Sequence, residues 1–339
     1  MRRVFVLLVL LLLVGCSDNN KSELNVLNWS SYIPDEVIYD FEEKYNVDVN
    51  YSTYSSNEEL LAKVTSAKEG TYDLIFPSDY MVEIMKDKKM LEIIDQNKLK
   101  NVSNLDSKYL NLDFDKGNFY SLPFLAATTL IAYNTEVIKE NITSYNDLLN
   151  PKYKGEIVLL DDQRIIIGAS LMALGYDMNE TSDEALEKAK QWLLKLTDNV
   201  KLFDSDSPKS FLITKEVSIG LIWNAEAAIA MKENPNIKVV YPEEGFNLSV
   251  DNYAILKGAK NIDNAYLFID YLLEEDVMKK VIESYPYCNV NKKTNQILDN
   301  TYLSNEASNI STYNFNRATL VKNIGTSIKK YDKIWAEIK

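Results

Sequence analysis

No histidine occurs anywhere in the 339 residues. Its absence removes the side chain that most often serves as general base and as metal ligand. Ser-His-Asp and Cys-His catalytic sites and histidine-zinc sites are therefore excluded. Cysteine is almost as scarce, with only Cys16 and Cys288. The ten glycines are scattered, and neither GxGxxG nor GxxxxGK[ST] occurs, so nucleotide chemistry loses its usual phosphate cradle. Positive charge is in deficit, 37 Lys and Arg against 50 Asp and Glu, a formal net of −13. Such a surface disfavours nucleic acid and mildly attracts small cations. Beyond the first fifteen residues no apolar run approaches membrane-spanning length, because every other one is broken by charges.

The N-terminus has the character of a secretion signal. Arg2 and Arg3 precede the apolar run Val4 to Val14, which is too short to span a bilayer. The run ends at Leu13-Val14-Gly15-Cys16, which resembles a bacterial lipobox and implies lipidation of Cys16 after removal of residues 1–15. Taking Arg2 and Arg3 from the 37 basic residues leaves 35 against 50 acids, a net of −15. Residues 16–23 then form a polar tether, and modification of Cys16 leaves Cys288 without an intrachain disulfide partner. The remaining length suits two lobes rather than one core.

Strand and helix signals alternate along that length. Val47 to Tyr54 alternates as a strand, and Ser56-Asn57-Glu58-Glu59 has the form of a capping box opening a helix through Val64. Asp73 to Phe76 is a short buried strand followed by Pro77-Ser78-Asp79-Tyr80 and a helix. Thr128 to Tyr133, Glu156 to Leu160, Val217 to Trp223 and Tyr253 to Leu256 are expected as strands. Thr181-Ser182-Asp183-Glu184 caps a helix through Leu196, and Asn264 to Ser284 is expected as one long amphipathic helix. Alternation with short loops predicts an α/β fold of sheets flanked by helices.

The stretch Asn28-Trp29-Ser30-Ser31-Tyr32-Ile33-Pro34 follows the apolar residues Leu24, Val26 and Leu27 and precedes a helix opening at Pro34-Asp35-Glu36. In open α/β sheets, ligands sit beyond the carboxyl ends of strands. Two rings and two hydroxyls there suit a cationic, hydrogen-bonding small molecule, since a ring face attracts an ammonium. Plain core aromatics at a strand-helix corner are the competing reading.

Acids or aromatics also mark Pro77–Tyr80, Asp161-Asp162-Gln163-Arg164, Ile222-Trp223-Asn224-Ala225-Glu226, Val250-Asp251 and Tyr285-Pro286. In order and spacing these stretches resemble the spermidine/putrescine-binding proteins, the solute receptors of polyamine ABC importers. Tyr51 to Glu58, Asn104 to Asp106, Tyr120 to Pro123 and Pro151 to Gly155 carry the same resemblance, which runs from Leu24 to Ile338. It implies a two-lobed periplasmic-binding-protein-like fold of class II that closes over its ligand. One lobe would hold residues 24–126 and 250–293, the other 127–249 and 294–339, with crossing strands near Thr128–Tyr133 and Asp251–Ile255.

The resemblance also assigns roles. Trp29, Ser30 and Tyr32 match the first binding loop, and Tyr80 the aromatic after the Pro-Ser turn. Asp162 matches a terminal-amine carboxylate, Trp223 a stacking wall, Asp251 a central-amine carboxylate and Tyr285 a flanking aromatic. Ser78 and Ser205 match hydroxyl positions near the amines. From the residues alone, Trp223 could be core, Asp162 a helix N-cap, Tyr285 a loop anchor, and Asp79 the cap of its own helix. Three positions depart from the family: Ser31 replaces an acid before the loop tyrosine, Ile165 an acid after Asp162, and Ser249 a wall aromatic. Glu226 runs the other way, matching an acid of the putrescine-binding branch.

The implied function is an extracytoplasmic receptor for spermidine or putrescine, without catalysis or cofactor, anchored to the membrane only through lipid on Cys16. It would act as a monomer, delivering to an ABC permease and ATPase. Another cation such as agmatine, or ferric iron held by some of the 22 tyrosines, is the alternative within the fold. An acid-base hydrolase using Asp161 and Asp162 lacks a nucleophile or base. A role as adhesin or surface antigen is compatible with the receptor.

Overall fold

The computed structural model describes residues 21–339. The expected signal segment and Cys16 lie outside these residues. Twelve strands follow in chain order: β1 (Ser22–Trp29), β2 (Val47–Tyr54), β3 (Leu74–Ile75), β4 (Leu122–Ala127), β5 (Thr129–Asn134) and β6 (Ile157–Leu159). After them come β7 (Val200–Phe203), β8 (Ile219–Trp223), β9 (Ile237–Val240), β10 (Phe246–Ile255), β11 (Cys288–Asn289) and β12 (Ala318–Leu320). One sheet runs β11-β4-β10-β3-β1-β2, with β12 on β10, and the other runs β7-β6-β8-β5-β9. Helices flank both.

The two sheets repeat one design. A parallel triplet, β2-β1-β3 or β7-β6-β8, is followed by one antiparallel strand, β10 or β5, which carries a further antiparallel neighbour on its far side. That antiparallel strand arrives in each case directly from the other sheet. The chain passes from β4 to β5 through the single residue Thr128, and returns from β9 to β10 through 241–245. Strands β4, β5 and β10 are buried along their whole length, as strands covered on both faces must be.

The two passages are tied together by side chains. Thr128 Oγ1 donates to the Asn247 carbonyl at 2.6 Å, and Thr129 N donates to Asn247 Oδ1 at 3.0 Å. Asn224 Oδ1 accepts from Thr128 N at 3.1 Å. All four residues are buried, where an unpaired polar group would be costly.

Local signals hold where the physics is local. Pro34 sits at the N-cap of the helix Asp35–Tyr45, and Ser56 accepts from Glu59 N to cap Asn57–Ser66. Ser182 caps Asp183–Thr197 in the same way. The expected single helix from Asn264 to Ser284 is instead two, Ile262–Leu272 and Glu275–Ser284. The break has a tertiary cause. Buried Asn104 and Asn291 both donate side-chain amides to the Leu273 carbonyl, at 3.0 and 2.9 Å, where continued helix would have supplied a backbone N–H. Two other boundaries move. β1 begins at Ser22, paired with Val47, so the last residues expected as tether are strand. β10 begins at Phe246, so residues 246–249 pair within the larger sheet. Among the described residues no helix is long and apolar enough to cross a membrane.

Candidate functional site

The carboxyl ends of both parallel triplets meet at one cleft of about 690 Å3. Strands β1, β2 and β3 bring Trp29, Tyr54 and the Ser78 turn to one wall; β6, β7 and β8 bring Asp162, Ser205 and Trp223 to the other. Trp29, Ser30, Ser31, Tyr32, Ser78, Tyr80, Asp162, Ser205, Trp223, Glu226, Asp251 and Tyr285 all line this cleft. Residues from sequence positions 29 to 285 thus converge there because strand ends converge, as expected for open α/β sheets.

The floor is built around Asp251. β10 is irregular between Asp251 and Asn252, and such a bulge re-aims side chains. Asp251 is 3% exposed, and among the described residues no lysine or arginine pairs with it. Its oxygens accept from hydroxyls only: Ser78 Oγ at 2.5 Å, and Tyr32 Oη in a short bond. Burial pushes its carboxyl up to about 6, against the opposing pull of those two hydrogen bonds. Asn57 fixes Ser78 from behind, accepting from Ser78 N and donating to its Oγ, both at 3.1 Å. Asp79, which does not line the cleft, is the first residue of the helix Asp79–Asp87 and is fully buried. Desolvation raises its carboxyl well above the ordinary range.

A second acidic position lies around Tyr80. Asp162 is the N-cap of the helix Gln163–Ala173: Oδ1 accepts from Arg164 N at 2.9 Å and Ile165 N at 3.1 Å. Capping and lining the cleft therefore coexist in one side chain. Burial, with Glu58's charge adding, lifts its carboxyl to about 6, while the two backbone bonds and Arg164 oppose. Glu58 accepts from Tyr80 Oη at 3.1 Å. The Arg164 guanidinium lies 5.6 Å from the Tyr80 ring centroid and 5.2 Å from that of Tyr331.

Aromatic rings form the walls. Trp29 Nε1 and Tyr54 Oη both donate to the Phe76 carbonyl, at 2.9 and 2.7 Å, which locks the two rings 4.6 Å apart. Tyr287 packs 4.8 Å from Tyr32. Trp223 is half-buried at the end of β8, and Tyr285 is half-buried just after the helix Glu275–Ser284. Ser31, which stands where the resembled family carries an acid, has φ of 55°. That is the left-handed region, costly for a residue with a Cβ.

Two lining carboxylates are already paired. Lys339 Nζ contacts both oxygens of Asp161 at 2.7 Å, and Lys209 Nζ contacts both oxygens of Glu226 at 2.8 Å. Ser205 Oγ accepts from Asp161 N at 2.9 Å, which orders its loop. Tyr54, Glu58, Arg164, Lys209, Tyr287 and Trp335 line the cleft without having been singled out from the sequence. Tyr54 and Glu58 belong to a stretch that carried the resemblance; Lys209 and Trp335 had no local signal. In sum the cleft offers aromatic surface, hydroxyls, and two acidic positions hydrogen-bonded only by hydroxyls and backbone N–H groups, with the Arg164 charge acting on Asp162 but not bonded to it.

The model of the family described as bacterial extracellular solute-binding protein matches residues 36–308. The spermidine/putrescine-binding periplasmic protein of Escherichia coli (strain K12) is 37% identical over 329 residues, covering 95% of this chain and 92% of that protein. The putrescine/cadaverine-binding protein of Pseudomonas aeruginosa is 34% identical over 288 residues, covering 79% and 80%. Among solved structures, the Tp0655 (TpPotD) lipoprotein of Treponema pallidum superposes with a TM-score of 0.86 at 27% identity, covering 94% of this chain and 99% of that one. The substrate-binding protein PotD of a spermidine/putrescine ABC transporter from Streptococcus pneumoniae gives a TM-score of 0.81 at 30% identity, covering 94% and 98%. The chain therefore belongs to the bacterial extracellular solute-binding proteins, in the branch that contains the spermidine/putrescine-binding proteins.

Proposed function

We propose that the protein is an extracytoplasmic receptor that captures a polyamine of the putrescine or spermidine class and delivers it to an ABC permease and ATPase. The observation that carries this is Asp251: a buried carboxylate surrounded by hydroxyls and rings, with no cation of its own. A buried charge without a partner is costly, and an ammonium group is the partner this surrounding suits. Trp29, Tyr32, Trp223 and Tyr285 supply the ring faces for methylene spacers and cation–π attraction. Asp162 and Glu58 supply the second charge. The named relatives bind such amines. The twelve cleft residues are proposed as ligand contacts on the same grounds.

In this reading each sheet with its helices is one lobe, the chain passages near Thr128 and 241–245 are the hinge, and closure buries the amine. The protein acts as a monomer, tethered by lipid on Cys16. Ferric iron fits less well. Among the described residues no group of three or more carboxylate, thiol or imidazole side chains gathers to hold a metal ion. Calorimetry with putrescine, cadaverine, agmatine, spermidine and ferric citrate tests the reading. Saturable heat with at least one amine and none with iron is expected; binding of iron without any amine overturns it.

Trp223 supports a second measurement. Trp223→Ala should weaken amine binding by about 1–2 kcal/mol, the worth of one desolvated ring face over an ammonium. Because the ring is half-buried against the cleft, thermal unfolding of the ligand-free protein should barely move. A large loss of ligand-free stability with unchanged affinity would assign the ring to the core.

A further inference from the structure

The cleft contains a cation of its own. Lys209 lies on the short helix Pro208–Ile213, and Glu226 lies on the first turn of the helix Asn224–Glu233, three residues past Trp223. Lys209 Nζ is 2.8 Å from both Glu226 oxygens, with Ser207 Oγ at 3.5 Å. The side chains are 23% and 13% exposed. Among the described residues no other ion pair has both partners below a quarter exposed. Burial raises the Glu226 carboxyl, and the Lys209 ammonium opposes that shift. The pair is thus a half-desolvated lysine ammonium held against a carboxylate on the wall that carries Trp223.

We propose that Lys209 is a specificity-determining residue: its ammonium occupies the Glu226 carboxylate as a resident cation, so the cleft takes two ligand ammoniums and discriminates against a third. The inference rests on the amine-receptor reading and adds ligand length to it. Two acidic positions, Asp251 and the Asp162–Glu58 pair, are left to a ligand: hydroxyls and backbone N–H groups hydrogen-bond them, Arg164 reaches Asp162 by charge alone, and among the described residues neither is closed by an ion pair as Glu226 is. A diamine fills both. A triamine brings one more ammonium, which must either meet the lysine charge or displace it from Glu226 and break a bidentate pair that is partly out of water. Glu226 alone would add an amine site, and Lys209 cancels it. Specificity here comes from a repulsive element as much as an attractive one.

The test is calorimetry of the purified protein with putrescine and spermidine, in wild type, Lys209→Met, Lys209→Gln and Lys209→Met/Glu226→Gln. Removing the lysine charge should raise spermidine affinity relative to putrescine at least tenfold in both single variants. The double variant should lose that gain, because the carboxylate that the third ammonium would use is gone. A spermidine-to-putrescine ratio unchanged within twofold in a folded single variant overturns the inference while leaving the receptor reading intact. Equal gains in the single and double variants also overturn it, since Glu226 would then play no part. Failure of wild type and variants to bind any amine overturns the receptor reading and this inference together. Using both Met and Gln guards against a substitution that disturbs the short helix.

Discussion

Asp251→Asn should cost about 2–4 kcal/mol of amine binding, roughly 30- to 1000-fold in Kd. The size follows from what the substitution leaves behind. Asparagine has nearly the shape of aspartate and keeps one oxygen to accept from Ser78 or Tyr32, so the floor of the cleft stays built. The ligand ammonium, however, would be buried against a neutral amide. Much of the loss is therefore the cost of an unpaired charge. The same argument gives the opposite sign for the ligand-free protein. Burial penalises the Asp251 carboxylate, so a neutral side chain there should leave thermal unfolding unchanged or raise it. A titration paired with a melting curve separates the two readings of this residue. Unchanged affinity with a lowered Tm would make Asp251 a structural anchor between β10 and the Ser78 turn; lost affinity with an unchanged or raised Tm makes it a ligand's counter-charge.

Elements governed by local chemistry are legible in the sequence. Ser56 and Ser182 are recognisable as caps because a side-chain oxygen satisfies an N–H only three residues away. β2 and the short buried β3 read correctly because apolar periodicity reports which face meets the core. β10 is different. Its start reads Asn247, Ser249 and Asp251 in alternation with apolar residues, a pattern ordinarily half-exposed. All ten residues are buried, because the polar ones face the chain passages and the cleft rather than solvent: Asn247 meets Thr128 and Thr129, and Asp251 meets Ser78 and Tyr32. The break at Leu273 is illegible for a similar reason, since its causes stand on other elements, 169 residues away in Asn104 and 18 away in Asn291.

The site divides along the same line. Residues that end strands, such as Trp29 and Trp223, are found by locating the strands. Glu226 was visible, but its partner was not: Lys209 lies 17 residues earlier on another element, and only the packing of two helices brings the charges together. Charge counting from sequence treats Glu226 as an available acid, whereas the structure gives its oxygens to a lysine. Trp335 enters the cleft from a helix at the far end of the chain, with no periodic feature to distinguish it from an ordinary amphipathic residue.

Amine affinity should fall on the order of 100-fold between pH 7.5 and pH 5, although putrescine and spermidine keep their charges over that range. Two carboxyls of the empty cleft, Asp162 and Asp251, are held at about 6 by burial, above the ordinary aspartate value of 3.8. An ammonium bound beside a carboxylate favours its charged form, so the bound state lowers both values. Below pH 6 the empty protein carries protons that the ligand must expel, and each acid then costs about tenfold per pH unit. The sign for folding is the reverse. A carboxyl raised by folding makes the native state bind more protons than the unfolded chain between about pH 4 and 6. These two groups therefore destabilise the empty protein above pH 6 and release that cost as pH falls towards 4, by at most about 3 kcal/mol each. The ligand-induced rise in Tm should accordingly be large at pH 7.5 and small at pH 5. Calorimetry near pH 5.5 in two buffers of different ionisation enthalpy should register proton release on binding. Constant affinity across the range, with no protons released, would mean that neither acid pairs with the ligand and that the buried charge on Asp251 is answered by its hydroxyls alone.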